Sequence, residues 1–386
     1  MEIRKMKVNH LENPVGYALD RILFSWIADG SEKKNGVRAM VAEDVLLNDL
    51  SDSGYRKDID GIGYPVRMEL KPRTRYYWKV QIQDYEGRVT EKDAFFETGK
   101  MEEAWNAQWI TAPFREPSYL CLEFAAEQIK DATLYVMCRG LMEIYVNGQR
   151  VGEDYLDPGY SSYDLWEQVH AVKIGDYLQE GKNVIGFALG DGWYRGRLGY
   201  DGLYENNYGD RLMIMGELHL TDCNGNHTVI GTDDTFVSKK SPIRKTNIYD
   251  GEVYDAREET EHWCEESCDR STWVPVTCCG SCTNGTKDRL RLPIRKQEVF
   301  TPVILHSPIG ETILDFGQNM AGWVEGDVHL SKDACLELFY GEILQNDCFY
   351  NENLRTAKAK LYILFQRRKM HISVLTLLIT DSVMSK

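Results

Sequence analysis

Basic side chains are the minority charge in this sequence, 45 Lys+Arg against 60 Asp+Glu over 386 residues, for a formal net charge of −15. A chain that grips nucleic acid needs a basic stripe to meet phosphates, and an anionic membrane surface asks for the same. Neither partner is expected here. Long apolar runs are missing as well: the longest mainly apolar stretch, Ile372 to Thr380, falls far short of the roughly 20 residues of a membrane helix. Met1 to His10 alternates charged with apolar residues and holds no apolar core of a signal peptide. The eight histidines are scattered, with no H-x-x-x-H or H-E-x-x-H pairing for a catalytic metal. No EF-hand, P-loop or G-x-G-x-x-G string occurs, so no metal and no cofactor is expected. What remains is a soluble, cytoplasmic protein suited to a neutral ligand.

The residues present describe an ordinary globular chain, 43% hydrophobic and 27% charged, long enough for two to four domains. Tyrosine (22) and tryptophan (9) are abundant and clustered. Of ten cysteines, Cys121, Cys138, Cys223, Cys335 and Cys348 are isolated and read as small buried hydrophobes of a reducing compartment. Cys264, Cys268, Cys278, Cys279 and Cys282 crowd together. A zinc tetrahedron from Cys264, Cys268, Cys279 and Cys282 is one reading, but the spacing fits no standard zinc pattern; free thiols in a variable loop are the preferred one.

Strand signals run nearly throughout. Ala132–Met137 and Met142–Val146 alternate and end in the turn Asn147-Gly148, the strongest short hairpin signal. Asn183–Leu189, Leu212–Leu220 and His227–Gly231 repeat the style, while Gly175–Gln179 is one of few helical-looking stretches. Short strands punctuated by Gly, Asn and Asp predict an all-β chain of tandem β-sandwiches. Three segments can be distinguished: residues 1–100, 101–295 and 296–359, followed by 360–386. In the first, Leu70, Pro72, Thr74, Tyr76, Trp78 and Val80 alternate, a string that resembles fibronectin type III domains, with Tyr76 at the tyrosine-corner position.

The remaining motifs follow a recognisable order: Trp109-Ile-Thr, Val146-Asn-Gly148, Gly190-Asp-Gly-Trp-Tyr-Arg-Gly196, Tyr208-Gly-Asp210, Tyr249-Asp-Gly-Glu-Val-Tyr-Asp-Ala256 and Asp315-Phe-Gly-Gln-Asn319. Over roughly residues 60–357 this order resembles the N-terminal region of bacterial α-L-rhamnosidases. The resemblance implies a fibronectin-like module, a jelly-roll N-terminal domain and the start of a further β-sandwich. It also implies a rhamnose-containing glycoside as partner. The family's catalytic acids, one protonating the leaving oxygen and one activating water, belong to a following (α/α)6 barrel. After Asn319 this 386-residue sequence has 67 residues left, too few for such a barrel, so no catalytic residue is expected in it. From Lys360 onward five Lys+Arg stand against one acid, and Gly and Trp vanish. A reading-frame shift near Lys360 is the favoured expectation, a genuine basic tail the other.

A sugar site needs an aromatic face and a few fixed donors and acceptors. Asp191, Trp193, Tyr194, Arg195 and Arg197 supply these within seven residues, and Asp157, Tyr160, Tyr163 and Asp201 on neighbouring glycine-rich loops complete a candidate cleft. The structural alternative has Trp193 and Tyr194 packed inside the sandwich and Asp191 paired with Arg195 to brace the loop. Oxygens of Asn147, Asp154 and Asp157 compose a conceivable calcium site. The adjacent acids Asp233-Asp234, Glu258-Glu259 and Glu265-Glu266 point to opposite strand faces and form no acid/base pair. Two functions follow: the accessory, non-catalytic portion of an α-L-rhamnosidase, or a stand-alone carbohydrate-binding or scaffold protein.

Overall fold

A computed structural model describes the chain except residues 31–33, 45, 47–50, 200–203, 282–283, 330, 332–333, 366–368, 374–383 and 386, with backbone alone at 369–373 and 384–385. It is built of β-strands in several sheets, with three single-turn 3-10 segments and one short α-helix among the described elements. No helix among the described residues is long and apolar enough to cross a membrane. The chain divides into two compact units.

The first unit comprises Met1–Ala104 with Gln168–Val172 and Thr286–Arg291. Glu2–Val8, Ile22–Asp29 and Tyr64–Val66 make one of its sheets; Ser51–Asp52, Lys34–Ala42, Arg75–Asp84 and Val89–Glu97 make the other. Period-two alternation decides which side chains go inside: Tyr76, Trp78, Val80 and Ile82 are buried while Tyr77, Lys79 and Gln81 between them are not. Phe24 stacks on Trp78 with ring centroids 4.0 Å apart, and Tyr76 on Phe96 at 5.1 Å. The Tyr76 hydroxyl accepts the Lys71 N–H at 2.8 Å, closing back on the chain five residues upstream as a tyrosine corner does.

The second unit comprises Trp105–Glu167, Lys173–Gly285 and Leu292–Lys386. Ile129–Arg139 pairs along its length with Met213–Asp222, which also carries the strand His227–Gly231. One residue later the chain changes sheet: Leu141–Val146 pairs with Gly181–Gly190. Gly140 makes the crossing possible, because its φ of +133° and a carbonyl oxygen of Gly190 2.6 Å from where a Cβ would sit exclude other residues. The turn Asn147-Gly148 has positive φ at both positions, 50° and 81°, and returns into Gln149–Arg150. The helical-looking stretch at 175–179 is a single 3-10 turn, Gly175–Tyr177.

A further sheet sets Ile243–Asn247, Gly251–Asp255, Lys360–Leu364 and Cys335–Gly341 side by side. The hairpin 243–255 falls in the sequence range assigned to the middle segment, yet it is hydrogen-bonded to a strand at 360–364. That strand is interior, with neighbours on both sides and Leu361 and Ile363 buried, so the change of composition at Lys360 marks no break in the sheet. Its inner face joins Ile243, Tyr254, Leu338 and Tyr340 in one apolar cluster that also takes in Leu141 and Leu156.

Candidate functional site

Asp191 to Arg197 is not a plain loop. Gly192–Arg195 forms one helical turn, started by Gly192 at a φ of +51° where a Cβ would lie 2.5 Å from Leu141 Cγ. The turn places Asp191 and Arg195 on one face, i to i+4, where Arg195 Nε donates to Asp191 Oδ1 at 2.6 Å. Arg195 also donates to the carbonyl of Arg115, whose own guanidinium pairs with Asp210. Burial pushes the Asp191 carboxyl up, against the downward pull of Arg195. Tyr194 is buried and Trp193 packs against the apolar cluster around Tyr254 and Leu361.

Arg197 reaches the other way. Its Nη2 donates to Asp250 Oδ1 at 2.6 Å and to the Thr356 carbonyl at 2.6 Å, and its Nη1 to Thr356 Oγ1 at 3.1 Å. Tyr160 belongs to a separate group: its hydroxyl hydrogen-bonds that of Tyr208 at 2.7 Å, and Tyr163 stands edge-on to Tyr194 at 5.0 Å and tilted to Tyr208 at 5.1 Å. That bond, with burial second, pushes the Tyr208 hydroxyl up to about 12. Asp157 lies half-buried and gives its carbonyl to Met142 N–H at 2.7 Å. Asp201 lies outside the described residues.

The structure therefore brings Asp191, Arg195 and Arg197 to one polar cleft of about 830 Å³. Glu205, Asn206 and Asp210 line it nearby, and most of its other walls come from residues far away in sequence. The outer faces of the hairpin 243–255 and the strand 360–364 form one side, with Lys245, Val253 and Tyr362 in register across three strands. Arg115 and Glu116 line another part. Sequence reading missed Arg115, Lys245, Lys358 and Tyr362 because nothing local marks them. Asp250 and Gly251 did sit in a quoted motif, Tyr249 to Ala256, without a role being assigned. Gly251, at a φ of +95° with a Cβ position 1.9 Å from the Lys360 carbonyl oxygen, admits no side chain. A second cleft of about 740 Å³ is apolar, with Phe316, Met320, Trp323 and Leu336 in its walls.

The other expected sites are occupied by structural bonds. Asn147 caps its neighbourhood by donating to the Tyr177 carbonyl and Asn183 Oδ1 while accepting from Val184 N–H, and Asp154 Oδ1 takes Arg295 Nε at 2.7 Å. Cys264 is a free thiol in a turn, as expected, but a buried one: it packs with Cys121, Val184 and Trp273, its Sγ 3.6 Å from the Tyr145 carbonyl. Cys282 lies outside the described residues, and among the described ones no cluster of three His, Cys, Asp or Glu could hold a metal. The adjacent acids are partnered separately: Glu258 faces Arg244 at 3.3 Å and Glu259 takes the Tyr254 hydroxyl at 2.6 Å.

Comparison with known proteins gives three ordered matches. A Rha78A-like N-terminal immunoglobulin domain matches residues 3–102, an alpha-L-rhamnosidase N-terminal domain 127–298, and a bacterial alpha-L-rhamnosidase concanavalin-like domain 305–372. An alpha-L-rhamnosidase of Formosa agariphila is 28% identical over 391 residues, covering 91% of this chain and 41% of that protein. The crystal structure of an Aspergillus terreus alpha-L-rhamnosidase superposes on all of this chain and 46% of its own, at a TM-score of 0.90 and 24% identity. A Streptomyces avermitilis alpha-L-rhamnosidase complexed with L-rhamnose has the same fold over the whole of this chain and 56% of its own, at a TM-score of 0.89 and 18% identity. This chain spans less than half the length of the curated relative. In module order and along nearly its whole length, it corresponds to the N-terminal region of the bacterial α-L-rhamnosidase family.

Proposed function

We propose that this chain is the accessory, non-catalytic portion of an α-L-rhamnosidase, holding a rhamnose-containing glycoside for cleavage by acids supplied from elsewhere in the enzyme. The observation that carries this reading is the succession of three family modules in order over residues 3–372. The polar cleft supports a part in substrate recognition. It offers the half-buried Tyr362 ring and the fixed guanidinium groups of Arg195 and Arg197. Hydrolysis by paired carboxylates needs two acids facing one another across a sugar. In this cleft Asp191 and Asp250 are each held by an arginine, which suits binding better than proton transfer.

The purified chain should bind L-rhamnose or a simple rhamnoside, read by titration calorimetry, and should leave p-nitrophenyl α-L-rhamnoside uncleaved. Turnover by the chain itself would overturn the accessory reading. Absence of any sugar binding would confine the chain to a scaffold role.

A further inference from the structure

We infer that the polar cleft is built for an anionic sugar, a rhamnoside carrying a uronate or a sulfate group, rather than for a neutral one. This rests on the carbohydrate-recognition reading for the kind of ligand; the sign of its charge is new. Over the whole sequence acids outnumber bases, 60 to 45. Around the cleft the balance reverses. Arg115, Arg195, Arg197 and Arg244 line it together with Lys245, Lys358 and Lys360. Against these seven stand the carboxylates of Glu116, Asp191, Glu205, Asp210 and Asp250. Glu252 is a sixth lining residue by its backbone, but its neighbour Val253 faces the cleft and so the Glu252 side chain faces the opposite side of the sheet, where it is buried.

Pairing sharpens the count. Asp210 is taken by Arg115, Asp191 by Arg195, Asp250 by Arg197, and Glu116 by Lys240. The cleft's acids are thus largely spent on holding its arginines in place. Lys245 and Lys358 are exposed, and no ion pair among the described residues engages either of them. Glu205 is the one lining carboxylate outside those pairs among the described residues. Arg244 and Lys360 are taken by Glu258 and Glu337, so among the described residues the uncommitted charge is Lys245 and Lys358 against Glu205, positive on balance, beside the Tyr362 ring, which the Lys360 ammonium approaches to 5.3 Å. In an otherwise acidic protein such a cleft focuses potential and selects anions over neutral sugars. Whole-chain charge points to a neutral ligand, but a net charge averages over the surface and does not report on one cleft.

The test is calorimetric titration of the full chain with α-L-rhamnosyl-glucuronic acid, its neutral methyl ester and rhamnose 3-sulfate. At low salt the acid or the sulfate should bind about tenfold more tightly than the ester, as two exposed ionic contacts allow. The advantage should vanish at roughly 1 M salt, where the screening length is about 3 Å. Lys245→Ala combined with Lys358→Ala should also remove it, bringing the affinity for the charged probes down to that for the ester. Preference for the acid identifies a uronate and preference for the sulfate a sulfated sugar; either supports the inference. Equal binding of charged and neutral probes at low salt would overturn it and leave the sugar reading standing. Failure of all three probes to bind would overturn both, leaving the family assignment, which rests on sequence and fold.

Discussion

Arg197 grips Asp250 with two donors, Nη2 to Oδ1 at 2.6 Å and Nε to Oδ2 at 3.2 Å, and with its remaining nitrogen holds Thr356. One guanidinium thereby ties the turn after residue 195 to the tip of the hairpin 243–255 and to the approach of the strand 360–364. A planar fork matched to a carboxylate does this; an ammonium does not.

Replacing Arg197 with Ala should destabilise the second unit by about 1–3 kcal/mol, because both partners are largely buried and Asp250 would be left without its counter-charge. Arg197→Lys should recover part of the loss and not all of it. Urea unfolding of the full chain measures both; equal stability of the Lys variant and the parent would refute the fork argument.

Asp191 and Arg195 are the tighter pair. Asp191→Ala strands a guanidinium that is only 12% exposed, and a loss of about 3 kcal/mol is expected. The double variant Asp191→Ala/Arg195→Ala should lose less than the sum of the single changes. A double-mutant cycle with strictly additive losses would show that the two do not act together.

Glu252 carries a prediction about pH. Both its carboxyl oxygens are buried and make no hydrogen bond among the described residues, and burial, aided by the charge of Glu143, pushes the carboxyl well up. Tyr254 and Tyr340 face it, and their hydroxyls are pushed up chiefly by burial. A carboxyl raised in the folded state keeps its proton after the unfolded chain has lost its own, so stability falls as pH rises above the ordinary carboxylate range. Glu252→Gln should remove that fall, and its melting-temperature advantage over the parent should widen from pH 5 upward. A constant gap across that range would count against a buried neutral acid.

Asp288 in the first unit behaves likewise over a defined window. Burial pushes it up to about 6 from 3.8, in spite of donors at Met101 and Lys100. Its contribution to stability should decline between pH 4 and 6. Asp288→Asn keeps an acceptor for those N–H groups and should flatten the calorimetric melting curve over that interval. An unaltered slope would place the titration elsewhere.

Much of the fold is legible in the sequence because strands announce themselves locally. Alternation at 70–80 fixes the inward face, and Asn147-Gly148 fixes a hairpin turn. Sheet membership is another matter. Ile129–Arg139 and Leu141–Val146 read as a continuous pair of strands, and their division between two sheets hangs on the φ of one glycine. The pairing of Asp191 with Arg195 was visible as the loop-bracing alternative to a sugar site; that the two meet as i and i+4 on a helical turn was not. The cleft was not, because Lys245, Lys358 and Tyr362 reach it through strand register that no local pattern encodes.

The parallel pairing of Gly251–Asp255 with Lys360–Leu364 also has a temporal meaning. The two strands lie more than a hundred residues apart, so a chain leaving the ribosome finishes the hairpin 243–255 long before its partner exists. Until then Ile243 and Tyr254, buried in the finished sheet, have no Leu361 or Ile363 to meet, and closing so long a loop is slow. The nascent protein therefore passes through an interval with a sticky, half-built sheet exposed, and that interval is when chaperones would be needed most.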